Sequence, residues 1–103
     1  MKDWTHKEWL KEKNVNAAAA FYLYTPMCGT CKVASKMLGV VEELLPDMPM
    51  GKADLNYVQE IAELYKVESV PCLLITKNGE LEEKIYAFQS VPYLYGKLKR
   101  VDG

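Results

Sequence analysis

The sequence predicts an α/β domain in which a mixed β-sheet carries helices on both faces. Residues 17–24, AAAAFYLY, lack polar alternation, which is typical of a central strand buried on both sides. Helical patterns alternate with the early strand patterns, which indicates parallel pairing through helical crossovers. The tetrapeptide KNGE at residues 77–80 predicts an antiparallel hairpin, because Asn-Gly readily adopts the positive φ angles of tight turns.

The first element is predicted to be a short helix ending near Lys13. Thr5 and Glu8 form a Thr-x-x-Glu capping box, and Trp4 and Trp9 stand where a hydrophobic staple would lie. In residues 17–24, four alanines alone could be helical, but the aromatic residues and the Thr-Pro stop that follow favour a strand.

The remaining elements follow from periodicity and from capping residues. In order, they are an amphipathic helix over 31–45, a strand over 50–55, a third helix capped by Asn56 and Gln59, strands over 72–76 and 81–88, and a last helix capped by Ser90.

Composition limits the organisation and the partners of the chain. Its 103 residues, half of them hydrophobic, suit a single domain over 1–103. A net charge of −1 argues against nucleic acid, whose phosphates attract basic proteins. The N-terminus has no signal-peptide pattern, and no apolar run approaches the ~18 residues that a membrane span needs. We therefore expect a cytoplasmic protein without a membrane partner.

Cys28 and Cys31 stand at the predicted junction of strand and helix. Such a pair can form a disulfide, hold a metal or lie inertly in a core. An odd total of three cysteines does not suit a secreted disulfide framework, and in a reducing compartment Cys-x-x-Cys is typically catalytic or metal-binding.

A redox role is favoured, because a helix N-terminus stabilises the thiolate that attacks disulfides. Cys28 is the outer residue and is predicted to be the nucleophile, while Cys31 resolves the mixed disulfide. Gly29 lets the loop fold tightly and lets a substrate backbone approach.

The chain resembles thioredoxin and its small bacterial relatives. The matching segments are AFYLYTPMCGTCK, KADLN and VESVPCLLITKNGE, and the resemblance extends from Ala17 to about Arg100. It implies a thioredoxin fold and a thiol–disulfide oxidoreductase that needs no cofactor and no metal. The first strand that many thioredoxins carry before their first helix is expected to be absent.

The resemblance also implies a substrate site. Pro71 is expected to be cis and to pack against the cysteine pair, and Val70 to offer its backbone to an extended substrate segment. Met27 and Thr30 replace a tryptophan and a proline that are typical of the family. Met27 suits a tolerant apolar contact, and Thr30 adds a hydroxyl beside the thiols.

Tyr22 and Lys52 are predicted to support the site. Tyr22 stands where thioredoxin has a buried aspartate that assists proton transfer from the resolving thiol, although a neutral phenol is a poor base. Lys52 matches a family lysine near that carboxylate and could equally be a surface lysine. Cys72 is expected to be a buried core residue turned away from the face of Val70, with a regulatory thiol as the alternative.

The expected partners are disulfide-containing proteins or mixed disulfides of small thiols, with a reductase or a low-molecular-weight thiol for recycling. The reduction of a mixed disulfide between a protein and a small thiol would need Cys28 alone. Two other functions stay open. One is a non-enzymatic adaptor or redox sensor that binds a protein partner. The other is a carrier of zinc, through His6 and the three cysteines, or of an iron–sulfur cluster.

Overall fold

The computed structural model describes residues 1–102. Strands and helices alternate through most of this range. They are β1 (Lys2–Asp3), α1 (His6–Val15), β2 (Ala18–Tyr24), α2 (Gly29–Leu44), β3 (Met50–Asp54), a 3-10 turn (Leu55–Tyr57), α3 (Gln59–Leu64), β4 (Cys72–Lys77), β5 (Glu80–Ile85) and α4 (Val91–Asp102). Over these residues, every helix is too short or too polar to span a bilayer.

The strands form one mixed sheet in the order β1-β3-β2-β4-β5. Strand β2 pairs in parallel with β3 and antiparallel with β4. The β4–β5 hairpin turns at Asn78 and Gly79, whose φ angles are 53° and 84°. The predicted central strand, mixed sheet and Asn-Gly hairpin are therefore confirmed.

The expected absence of the first family strand is wrong. Lys2 and Asp3 pair in parallel with Gly51 and Lys52 at the edge of the sheet. The backbone N–H of Trp4 then donates to the carbonyl of Lys52 at 2.9 Å. The strand is two residues long, polar and exposed, so it leaves no hydrophobic pattern in the sequence.

Capping matches the prediction at α1 and α4 but not at α3. Thr5 Oγ1 accepts from the N–H of Glu8 at 3.1 Å, which completes the capping box. Ser90 Oγ accepts from an N–H in the first turn of α4. Asn56 and Gln59 do not cap α3, which begins at Gln59 without a side-chain cap. Instead, Asp54 caps the preceding 3-10 turn.

Strand β2 separates two hydrophobic clusters. Ala20 and Tyr22 face the cluster under α2 and α4. Phe21 and Leu23 face the opposite cluster, which includes Trp9 of α1. Both faces of β2 are therefore covered, and its C-terminal end leads directly into the segment that carries the two cysteines.

Replacing Gly51 should destabilise the fold, because a Cβ at this position would overlap the ring of Trp4. We expect Gly51→Ala to lower the free energy of unfolding by about 1–3 kcal/mol. Gly39→Ala in α2 is the matched control, since its added Cβ meets no atom within 4 Å. That change should raise stability by about 0.5–1 kcal/mol. Urea unfolding measures both, and equal effects of the two changes would contradict the packing described.

Candidate active site

The two cysteines lie at the start of α2. Cys28 is the N-cap residue, and the buried Cys31 lies in the first turn, where its N–H donates to the carbonyl of Cys28 at 3.2 Å. The N–H of Cys28 donates back to the carbonyl of Thr25. Both thiols are free, and Cys28 is half-buried. The thiols therefore lie one helical turn apart, with Cys28 nearer to solvent.

The pKa values of the two thiols shift in opposite directions. Hydrogen bonds from the Cys31 thiol and then from the Thr30 hydroxyl, 3.3 Å from Cys28 Sγ, lower the pKa of Cys28. Burial raises the pKa of Cys31, and its hydrogen bond to Cys28 raises it further. Cys28 thus holds the negative charge more readily than Cys31, which makes it the more reactive thiol.

The segment before β4 contacts Cys28 directly. The peptide bond between Val70 and Pro71 is cis, as predicted. The thiol of Cys28 donates to the carbonyl oxygen of Val70 at 3.7 Å. The structure therefore brings Val70 and Pro71 next to the cysteine pair.

A groove of about 360 Å³ borders the pair. Thr30 and Pro71 line it beside apolar side chains of α2 and of the segment after β5, which include Val33, Met37 and Phe88. Among the residues described, its lining holds no charged side chain. Gly29 and Met27 are exposed beside the pair, and Met27 is 94 % exposed, but neither lines the groove.

Tyr22 is fully buried behind Cys31. Its hydroxyl donates to the carbonyl oxygen of Cys31 at 2.9 Å and lies 3.0 Å from Ser35 Oγ. Because the phenol has one proton and gives it to the carbonyl, Ser35 is the donor in the second hydrogen bond. Burial raises the pKa of Tyr22, so the phenol stays neutral. Sequence reasoning missed Ser35, whose one signal is its position four residues after Cys31 on the same helix.

Lys52 reaches Tyr22 only through a second aromatic ring. Its ammonium nitrogen lies 5.9 Å from the ring centre of Tyr24, and that ring stacks on Tyr22 at 5.6 Å. Lys52 also lines a separate pocket with Asp3 and Asp54, away from the groove. The structure thus separates Lys52 from the thiols.

Cys72 is a core residue, as predicted. It is fully buried in the cluster beneath α1 and α3, and burial raises its pKa to about 11. The expectation that it turns away from Val70 is wrong, since both side chains pack into that cluster. Residues two apart on an extended chain share a face.

The metal ligands considered from sequence are dispersed. Cys72 packs in the cluster beneath α1 and α3, and His6 faces Glu60 with 3.8 Å between Nδ1 and Oε2. Within residues 1–102, no group of three His, Cys, Asp or Glu side chains is arranged to hold a metal ion.

A dithiol at a helix N-terminus beside a cis-proline is the site of a thiol–disulfide oxidoreductase. The family model described as Thioredoxin matches residues 2–98, so the chain belongs to the thioredoxin family. The thioredoxin-like protein YusE of Bacillus subtilis is 53 % identical over 79 residues, which are 77 % of this chain and 74 % of that protein. Thioredoxin of the same organism is 34 % identical over 67 residues, or 64 % of each chain.

Solved thioredoxins share the fold. A single-residue mutant of thioredoxin from Halobacterium salinarum aligns with a TM-score of 0.88 at 21 % identity, covering 100 % of this chain and 90 % of its own. Oxidised mitochondrial thioredoxin 3 from Saccharomyces cerevisiae aligns with a TM-score of 0.87 at 24 % identity, covering 97 % and 94 %. The family match and the two Bacillus relatives identify the chain as a protein-disulfide oxidoreductase that acts on disulfide substrates.

The Thr30 hydroxyl should set part of the reactivity of Cys28. Thr30→Val keeps the shape of the side chain but removes the donor, so the pKa of Cys28 should rise. At a pH below this raised pKa, a smaller fraction of Cys28 is thiolate in the variant than in the wild-type chain. Alkylation of Cys28 by iodoacetamide near pH 7 should therefore be slower. Thr30→Ser is the control that keeps the hydroxyl. Mass spectrometry of Cys28 across a pH series measures the shift, and identical profiles for all three proteins would contradict the role of Thr30.

Cys72 should remain unreactive in the folded protein, because it is buried and its pKa is raised to about 11. Iodoacetamide at pH 7 should label Cys28 in the native protein and Cys72 only after unfolding in urea. Peptide mass spectrometry separates these sites. Labelling of native Cys72 by oxidised glutathione would instead support the regulatory thiol considered from sequence.

Proposed function

We propose that Cys28 is the nucleophile and Cys31 the resolving thiol of this oxidoreductase. The opposite pKa shifts of the two thiols carry this assignment. The Cys28 thiolate attacks a substrate disulfide, which forms a mixed disulfide and expels one substrate thiolate. Cys31 then loses its proton and attacks Cys28 Sγ, which expels the second thiolate. The substrate gains two electrons, and the Cys28–Cys31 disulfide remains.

Substrate binds, in this proposal, across Met27, Gly29, Thr30, Val70 and Pro71. An extended segment aligned on the backbone of Val70 would bring its cysteine next to Cys28, because the Val70 carbonyl contacts that thiol. The exposed Met27 offers a flexible apolar contact beside the nucleophile.

The lining of the groove favours a protein over a small anionic thiol as the substrate. A glutathione-like thiol carries carboxylates that a binding site usually pairs with cations. The described lining is uncharged, and most of it is apolar. Disulfide-containing proteins are therefore the preferred substrates, and mixed disulfides of small thiols are the second class.

A reductase or a low-molecular-weight thiol would restore the dithiol, without a resident cofactor. One structural neighbour, 23 % identical with a TM-score of 0.86, comes from work on a thiol-resolving mechanism in yeast mitochondrial 1-Cys peroxiredoxin via glutathione/thioredoxin systems. A peroxide-reducing thiol protein is accordingly one candidate partner.

The chain would act in the cytoplasm as a single thioredoxin-like domain over residues 1–103.

Tyr22 and Lys52 support the site at different distances. Tyr22 holds the first turn of α2 through the Cys31 carbonyl. Lys52 stabilises the aromatic stack of Tyr24 and Tyr22 by a cation–π contact, and it does not act on substrate.

Turnover separates this enzyme from a non-enzymatic adaptor. With insulin as the disulfide substrate and dithiothreitol as the reductant, the wild-type chain should catalyse repeated reduction. Cys28→Ser should fall to the uncatalysed rate. Cys31→Ser cannot resolve the mixed disulfide itself, so in a single-turnover reaction without dithiothreitol it should accumulate a covalent Cys28–substrate disulfide, visible on non-reducing gels.

Lys36→Ala is the matched surface control on α2 and should keep full activity. A wild-type chain that binds partners but never turns over would support the adaptor. Full activity of Cys31→Ser towards a glutathione mixed disulfide would instead indicate monothiol chemistry.

A further inference from the structure

We propose that Lys84 and Tyr86 are positioning residues that hold the backbone of Val70 in place for a protein substrate. This inference rests on the proposed function, in which Val70 aligns an extended substrate segment beside Cys28. It goes further, because it assigns part of the affinity for protein disulfides to two side chains on the edge strand β5 and just after it, away from the cysteine pair.

Val70 lies in an irregular segment, residues 65–71, which joins α3 to β4 and which we call the Val70 loop. Few backbone contacts hold its second half. Among residues 1–102, no backbone–backbone hydrogen bond joins Glu68, Ser69 or Val70 to the rest of the chain. Pro71 has no N–H to donate. The position of the Val70 carbonyl, which accepts from the Cys28 thiol, therefore depends largely on side-chain contacts.

Lys84 holds the start of the Val70 loop. Its ammonium group donates to the carbonyl oxygen of Tyr65 at 2.9 Å and to that of Lys66 at 3.2 Å. Lys66 has a φ angle of 54°, which is a left-handed conformation and is unfavourable for a residue with a side chain. The two carbonyls stand on either side of the Lys66 Cα atom. The ammonium group of Lys84 therefore stabilises the bend with which the chain leaves α3.

Tyr86 holds the middle of the Val70 loop. Its hydroxyl oxygen accepts a hydrogen bond from the N–H of Glu68 at 3.2 Å. The side chains of Val67, Val70 and Tyr86 all pack against the hydrophobic cluster that includes Cys72. The Tyr86 ring and the loop are therefore anchored to the same part of the core, and the hydrogen bond to Glu68 joins them directly.

The β4–β5 hairpin gives both side chains a fixed base. Lys84 and Tyr86 are two residues apart on an extended chain, so they point to the same face of the sheet. Ile85 between them pairs with Leu73 of β4 and is buried in the cluster on the opposite face. The loop is thus attached at two points, and Val70 follows the second point by two residues. Without these attachments, a bound peptide would have to order the loop itself, which costs affinity.

Kinetics with a protein disulfide and with a small disulfide test this role. Tyr86→Phe keeps the ring and removes the hydroxyl, and Lys84→Met keeps the length of the side chain and removes the charge. Each change should raise KM for insulin about two- to tenfold, the effect of one lost hydrogen bond, with kcat unchanged. The rate of attack on 5,5′-dithiobis(2-nitrobenzoate), which has no peptide backbone to align on Val70, should stay at the wild-type value.

Three further variants serve as controls. Lys84→Arg keeps a cationic donor and should restore most of the affinity for insulin. Lys77→Met and Tyr57→Phe make the same chemical changes at exposed positions outside the Val70 loop, so both should match the wild-type chain with either substrate.

The two substrates separate positioning from a general loss of structure. An unchanged KM for insulin in either variant would overturn the role of that residue. An equal fall in the rates with insulin and with the small disulfide would overturn the positioning role as well, because it would show that the whole site is disturbed. Both outcomes leave the proposed function intact. A wild-type chain that reduces neither substrate would overturn the proposed function, and this inference with it.

Discussion

Burial of strand β2 on both faces is the constraint on which the rest of the structure depends. Residues 18–23 are all buried, so helices must cover the sheet on both sides. The strand also fixes the site, because its C-terminal end leads into the loop that presents Cys28 at the start of α2. Moving the register of β2 by one residue would exchange the two faces and take Tyr22 away from Cys31.

Core and active site share the first turn of α2. Cys31 is buried, and this burial raises its pKa and keeps its proton in place. Cys28, one turn earlier, lies at the boundary with solvent beside the Val70 carbonyl and the Thr30 hydroxyl. A single helix start thus gives two chemically identical side chains different reactivities, which sequential attack and resolution require.

The sequence predicted the features that depend on local pattern. The buried run of β2, the Thr5–Glu8 capping box and the Asn-Gly hairpin are short-range signals, and all three are present. The sequence did not predict β1, because a two-residue polar strand exists only through its pairing with β3. Ser35 was missed for the same reason: a serine on an exposed helix face becomes a hydrogen-bond partner of Tyr22 only when the fold brings the two hydroxyls together.

The central claim is that Cys28 and Cys31 form a reversible two-electron couple, and a redox titration tests it most directly. Cys72→Ala removes the third thiol from the measurement. Against buffers of reduced and oxidised dithiothreitol or glutathione, we expect one Cys28–Cys31 disulfide with a midpoint between about −270 and −200 mV, since a lowered pKa of Cys28 stabilises the reduced form. If no disulfide joins the two cysteines at any ratio in these buffers, the account is contradicted.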